Sequence, residues 1–298
     1  MRQNETARRQ RHWDLRAAGN FIGGGSGTGL LIAAALWTLL PAAAPGVPLW
    51  PVLVGMGFVM MGLSLVWLEI GKPWRAFNVF FHPQTSWMTR EGFIAAPLLA
   101  AAAAAAWFQS RPLLLLAAVL AAGFLYCQAR ILKASKAIPA WSHPRTVPLI
   151  VATALAEGSG LLLLLGAAGS RTMVAVALVA AIARELARTH YKSGLVQAGA
   201  PEGTLAWFGH PATRVLQGTR LIAALLLLAA VFGAAGTLST LLAALGGGLS
   251  AIGGFGLKII LVTRAAFTRG LRIPFTPSRG RGPTAAVLPA AMLRQGKR

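Results

Sequence analysis

The sequence feature that most constrains the fold is the placement of positive charge. Eight long apolar segments, near residues 22–40, 50–69, 92–108, 112–132, 147–166, 172–187, 219–237 and 239–262, alternate with polar connections. Of 28 Lys and Arg residues, all but Arg111 and Arg171 lie on or nearest to the N-terminal stretch, the even-numbered connections and the C-terminal stretch. Membrane proteins carry their excess of Lys and Arg in cytoplasmic loops. The pattern therefore predicts an even number of spans in the inner (cytoplasmic) membrane, with both ends in the cytoplasm. The net charge of +21 then describes one membrane face and is no signature of nucleic-acid binding.

A helix needs about 20 apolar residues to cross the hydrocarbon core, and most of the eight segments meet that length. A hydrophobic content of 56% and a mean hydropathy of +0.63 fit an integral membrane protein. Runs of Ala and Leu at 98–106 and 161–165 favour helix, and no segment alternates polar with apolar residues as a transmembrane barrel would. The expected fold is an all-α integral membrane protein, a bundle of about eight transmembrane helices within residues 20–263. A basic cytoplasmic segment, 1–19, precedes the bundle, and a basic cytoplasmic tail, 264–298, follows it. The apolar stretch after Arg8-Arg9 is long and glycine-rich, so it reads as the first span and not as a signal peptide.

Several chemistries are disfavoured. The one cysteine, Cys127, lies in an apolar segment, and one thiol builds no disulfide framework, zinc site or iron–sulfur cluster within the chain. His12, His82, His143, His190 and His210 fall in connections or at segment ends, whereas a membrane haem needs facing imidazoles at membrane depth. The run Gly23-Gly24-Gly25-Ser26-Gly27-Thr28-Gly29 has neither a Walker lysine nor a preceding strand. Its interleaved G-x-x-x-G pairs, Gly23/Gly27 and Gly25/Gly29, read as helix packing, with close approach of a flat ligand as the alternative.

Charges inside spans are costly and mark functional candidates. Glu157 sits about ten residues, roughly 15 Å, into the fifth segment, where it is either a proton-exchanging group or an interhelical hydrogen-bond partner. Lys258 lies in the last segment within reach of the basic face, and the plainer expectation is that it snorkels there. The densest chemistry is in the second connection. Glu69 ends one span and Glu91 opens the next, bracketing Lys72, Pro73, Trp74, Arg75, Asn78, Trp87 and Arg90. A carboxylate–arginine set at the membrane boundary can bind a polar ring and move protons; an interfacial belt with ordinary salt bridges is the plainer account.

The stretch Glu69-Ile-Gly-Lys-Pro-Trp-Arg-Ala-Phe-Asn, followed by Ser86-Trp-Met-Thr-Arg-Glu91, resembles the signature loop of the DmsC/NrfD-type membrane anchors of molybdopterin oxidoreductases. Asn20-Phe-Ile-Gly-Gly-Gly-Ser-Gly and Glu157-Gly158 add weaker support. The resemblance implies a haem-free helical anchor that exchanges electrons with membrane quinone (menaquinone or ubiquinone). It implies two partners, a four-cluster iron–sulfur subunit and a molybdenum or tungsten catalytic subunit. Carried over by position, Glu69 and Glu91 would handle protons, with Glu157 as a relay or a polar wall of the site. Lys72 and Arg75 would hydrogen-bond a ring carbonyl and stabilise negative charge on it, with Asn78, Trp87 and Arg90 completing the binding set. Many relatives have His where this chain has Glu69.

Because the signature loop falls on the basic side, the partners are expected to dock in the cytoplasm. That arrangement is similar to the membrane subunit of phenylacetyl-CoA:acceptor oxidoreductase complexes, and it favours quinone reduction. Residues 187–218, with His190, Tyr191 and Lys192, offer a second docking surface. A secondary transporter and a purely structural anchor are the rival readings; no convincing internal repeat supports the first. Topology is directly testable: a reporter fused after Lys136 is expected to read cytoplasmic, and one fused after Gln109 to read external.

Overall fold

The computed structural model describes residues 7–40, 46–69, 78 and 80–269, without the Glu69 side chain. Within them the chain is helical, with one isolated antiparallel bridge, Arg9 to Phe267, and no sheet. Ten helices follow in order: α1 (Leu15–Thr38), α2 (Leu49–Glu69), α3 (Trp87–Trp107), α4 (Arg111–Ala134), the short α5 (Pro139–Ser142), α6 (Thr146–Leu164), α7 (Arg171–Gln197), the short α8 (Glu202–Gly209), α9 (Pro211–Phe232) and α10 (Thr237–Ile259). A π-helical turn, Ile260–Arg264, extends α10. Among the described residues, α1, α2, α4, α6, α9 and α10 are long and apolar enough to cross a membrane. Helices α3 and α7 have comparable lengths of 21 and 27 residues, but carry Arg90 and Glu91, and Arg184, Glu185 and Arg188, respectively.

Helix boundaries follow local chemistry. Asp14 caps α1, its carboxylate accepting from the Arg16 amide at 2.7 Å. The Arg16 side chain, hydrogen-bonded and ion-paired to it at 3.0 Å, holds the Asp14 carboxyl below its ordinary range. Helix α1 thus begins five residues before the expected start of the transmembrane region. The stretch expected as a 187–218 connection is largely helical, because α7 runs on to Gln197 and α8 and α9 follow closely. Polar Lys, Gln and Ser there end the apolar run without ending the helix.

Helix α1 packs against α2, α4, α6 and α10, and its glycines explain how. A Cβ on Gly23 would meet the Phe58 carbonyl at 2.5 Å, and one on Gly27 would meet the Gly55 carbonyl at 2.5 Å, so this pair faces α2. A Cβ on Gly29 would overlap the Ala154 carbonyl, and one on Gly158 would overlap Gly29. The two interleaved G-x-x-x-G pairs therefore serve different neighbours, as small-residue interfaces in membranes do. Three apolar clusters fill the remaining space between the helices.

The ends of the bundle are distinguishable. The first described segment pairs with the last: the Gln10 amide donates to the Ala266 carbonyl at 2.8 Å, and the Thr268 amide to Arg8 at 2.9 Å. At the opposite end, Arg171 donates to the Gly233 carbonyl at 2.9 Å, and the Val47 amide to the Gln109 side chain at 3.1 Å. Exposed aromatics mark both ends, Trp67, Phe80 and Phe81 at the first and Trp50, Trp107, Phe108 and Phe232 at the second. Such belts are usual at membrane–water boundaries. The fold is that of a multi-pass membrane protein. Gly29→Ala and Gly158→Ala are each expected to cost about 1–3 kcal/mol by overpacking, measured by unfolding in detergent. Gly57→Ala, with nothing within 4 Å of its added carbon, should cause no loss and add up to about 1 kcal/mol through helix propensity.

Candidate functional site

At the end where α1 begins, helices α1 to α4 surround a cavity of about 380 Å³. Its described walls include His12, Trp13, Asn20, Phe21, Met88 and Glu91. Three elements place these groups: the segment before α1, α1 itself and α3. The side chain of Gln10 accepts from the Trp13 amide at 2.8 Å and donates to the carbonyls of Trp13 and Val262 at 2.8 and 3.0 Å. These bonds fasten the segment carrying His12 and Trp13 onto the end of α10. Trp13 also stacks on Trp141 with ring centroids 4.6 Å apart, and meets Phe21 at 5.9 Å. Ser86 caps α3, accepting from the Thr89 amide, which fixes the first turn of the helix, just before Glu91.

The polar groups of this cavity are incompletely matched. Gln128 on α4 donates to the Asn20 carbonyl at 3.0 Å and lies beside the Glu91 carboxyl. The Asn20 Oδ1, Glu91 Oε1 and Gln128 Oε1 atoms are all enclosed and have no donor. Buried acceptors in native structures nearly always have partners, so these orphans, on the cavity-lining Asn20 and Glu91 and on Gln128 bonded behind them, mark a place for a ligand with donors or for ordered water. A volume of this size suits a small ring. Aromatic walls and a few convergent polar groups are the usual make-up of such a site.

The sequence-predicted residues divide. Glu91 enters the cavity, whereas Trp87 and Arg90 build the α3 entrance. The guanidinium groups of Arg90 and Arg130 both lie over the Trp87 ring, 4.2 and 4.3 Å from its centroid. Arg90 also donates to the carbonyls of Pro83 and Gln84, each at 2.8 Å, and so pins the preceding loop. Asn78 is exposed. Lys72, Arg75 and the Glu69 side chain lie outside the described residues; Glu69 is the last residue of α2. Of the second docking surface, His190 and Lys192 are exposed but Tyr191 is buried, donating to the Ala140 carbonyl at 2.5 Å.

Glu157 is not among the cavity's described walls. It stands in a sealed pair: Lys258 Nζ donates to Glu157 Oε2 at 2.5 Å, and Ser26 Oγ donates to the same oxygen at 2.7 Å. Both charged side chains have zero exposure. Lys258 therefore turns inward and does not snorkel, because an unpaired Glu157 at that depth would cost more than the lysine's own desolvation. A second charged group was not anticipated from the sequence. On α7, Glu185 accepts from Arg188 at 2.8 Å and from Arg220 of α9 at 2.6 Å, with Arg184 Nε 3.5 Å away. The i, i+1, i+4 spacing of Arg184, Glu185 and Arg188 on one helix was its visible signal.

No family model and no curated protein matches this chain. For the sealed pair, Lys258→Met or Glu157→Leu alone is expected to cost about 3–5 kcal/mol, and the double variant Glu157→Leu/Lys258→Met to recover most of that loss. Thermal unfolding of the three variants in detergent measures it. Additive losses would refute the pairing.

Proposed function

We propose that this chain is an eight-helix inner-membrane anchor, both ends cytoplasmic, that binds a quinone ring in the α1–α4 cavity. The observation that carries the reading is the cluster of enclosed acceptors beside a cavity with aromatic walls: Asn20 Oδ1 and Glu91 Oε1 belong to its lining residues, and Gln128 Oε1 to the residue bonded to Asn20 behind them. The resemblance of residues 69–78 and 86–91 to the DmsC/NrfD-type anchors supports it independently. In this reading α3 and α7 span the membrane beside the six more apolar helices. The charge asymmetry supports a cytoplasmic basic end, on which an iron–sulfur subunit and a molybdopterin catalytic subunit dock.

A quinone bound there supplies an exchange of two electrons and two protons. The chain's own residues supply its surroundings. Glu91 holds or releases a proton at its carboxyl beside the ring. Asn20 and Gln128 offer carbonyl oxygens to ring hydroxyl groups. Trp13 and Phe21 give flat apolar walls, and Val66, Met88 and Ile131 exclude water. Arg90 and Trp87 act as positioning residues by holding the loop that leads into α3. Glu69, Lys72 and Arg75 retain the roles that the resemblance implies, at the end of α2 and in the segment following it.

Substrate-driven quinone turnover by the purified complex tests the proposal. Glu91→Gln is expected to lower it by about 10²-fold or more, with electron transfer to an artificial dye unchanged. As a binding readout, a short-chain quinone should quench tryptophan fluorescence of the wild type more than that of Trp13→Phe. Undiminished quinone turnover in Glu91→Gln would leave the chain a structural anchor with no quinone site at this cavity.

A further inference from the structure

The second charged cluster is not electrically balanced. Arg184, Arg188 and Arg220 surround the single carboxylate of Glu185, while Glu157 is already matched by Lys258. Arg184 and Arg220 are buried, at 0% and 1% exposure. One nitrogen of each reaches α10, Arg184 Nη1 to the Ser250 carbonyl at 2.7 Å and Arg220 Nη1 to the Gly253 carbonyl at 3.4 Å. Arg184 Nη2 and Arg220 Nη2 find no acceptor. An excess of two positive charges in a low-dielectric setting is strongly unfavourable until an anion approaches.

Arg188 and Arg220 line a small, largely apolar pocket of about 20 Å³ with Leu149, Tyr191 and Phe208, and the roomier recess beside the cluster is on its other side. Arg188, itself 7% exposed, lines a cleft of about 470 Å³ between α7 and α9, together with Thr189, Lys192, Ser193, Gln197 and Gln217. None of the described lining residues is acidic, and Lys192 has no ion-pair partner among the described residues. The cleft lies at the basic end, reaching from Gln197 at the end of α7 to Arg188, about two and a half turns inside it, and to Gln217 in the second turn of α9. From it, two apolar stripes run toward the middle of the bundle. On α7, Leu186, Ile182 and Val179 continue the face of Thr189 and Ser193, and on α9, Leu221 and Leu225 continue the face of Gln217. All five are 47–65% exposed.

We propose that this cleft binds the phosphate headgroup of an anionic phospholipid, with acyl chains laid along the α7 and α9 stripes. Arg188, Lys192 and the neighbouring hydroxyl and amide groups hold the phosphate oxygens, and the lipid charge offsets the buried arginine excess. The apolar stripes select a lipid over free phosphate. The absence of a carboxylate among the described cleft residues selects a net-negative headgroup over a zwitterionic one. Basic recesses between spans on the cytoplasmic side are suited to such headgroups.

Native mass spectrometry of the full chain in detergent, with phosphatidylglycerol or phosphatidylcholine added, tests this. Phosphatidylglycerol should be retained at least about tenfold more than phosphatidylcholine, because the choline cation cancels the phosphate charge and meets Arg188 and Lys192 as a like charge. Lys192→Gln/Gln217→Leu, which leaves the Glu185 network intact, should lower that retention about tenfold. Lys136→Gln removes the same charge elsewhere at the basic end and should leave it unchanged. Equal retention of the two lipids, an unaffected double variant, or an equal loss in Lys136→Gln would overturn the proposal. So would displacement of phosphatidylglycerol by equimolar inorganic phosphate, which would reveal a free-anion site. None of these outcomes depends on quinone binding.

Discussion

The bundle depends on how closely α1 approaches its neighbours. Between helices in lipid there is little hydrophobic driving force, so association rests on van der Waals contact and on hydrogen bonds. Helix α1 meets this constraint by omitting side chains on several faces in turn. Gly23 and Gly27 admit the α2 backbone, Gly24 leaves room for Gln128 and Phe124 of α4, Gly25 leaves room for the Lys258 amine, and Gly29 meets α6 at Gly158. Both polar features of the interior follow. Ser26 is near enough to Glu157 to donate to it, and the Asn20 carbonyl is near enough to Gln128 to accept from it. A bulkier first helix would separate each of these pairs.

Three polar assemblies are embedded in one apolar bundle, and they differ in how completely they are satisfied. The Glu157–Lys258 pair is closed and electrically neutral, so it serves as an internal fastening between α6 and α10, braced by Ser26 of α1. The α1–α4 cavity is short of donors, with three acceptor atoms left over. The α7–α9 arginine cluster is short of acceptors, with Arg184 and Arg220 each retaining an unmatched nitrogen. Charge balance goes with a structural role, even though Glu157 Oε1 has no hydrogen-bond partner, and the opposite deficits of the other two assemblies point to ligands of opposite hydrogen-bonding character. The same residue chemistry thus sorts the molecule into one sealed joint and two recesses.

Much of this was legible in the sequence, and the residues show where legibility stops. Long apolar runs and charge on alternate connections predict the helices and the common end for the beginning of α1 and the finish of α10, because both signals are local in the chain. Glu91 stands out because a carboxylate near the start of an apolar helix needs a reason. Glu157 stands out for the same reason, but its partner does not: Lys258 is 101 residues away, and a lysine near a span's end has an equally cheap route to the surface. The partition of the glycine run between α2 and α6 depends on helix rotation, which spacing suggests only in part. Gln128 was passed over as one amide in an apolar segment. The arginine cluster is dispersed in the sequence: Arg184 and Glu185 fall at the end of the 172–187 segment, Arg188 in the connection after it and Arg220 at the start of the 219–237 segment, so only the packing of α7 on α9 joins them.

The pairing of the first described segment with the last has a consequence for biogenesis. Segments emerge from synthesis in order, so α1 and α6 enter the membrane well before α10. Until then Glu157 has Ser26 but no cation, and the stretch bearing His12 and Trp13 lacks the Val262 and Ala266 carbonyls that fasten it. Insertion of α10 supplies both at once. Helix α10, the last long helix among the described residues, therefore acts as a closing step: it neutralises the Glu157 charge and fastens the segment that walls the α1–α4 cavity. A copy truncated before α10 would carry an exposed ionic defect, the kind of flaw by which membrane quality control can distinguish finished from unfinished chains.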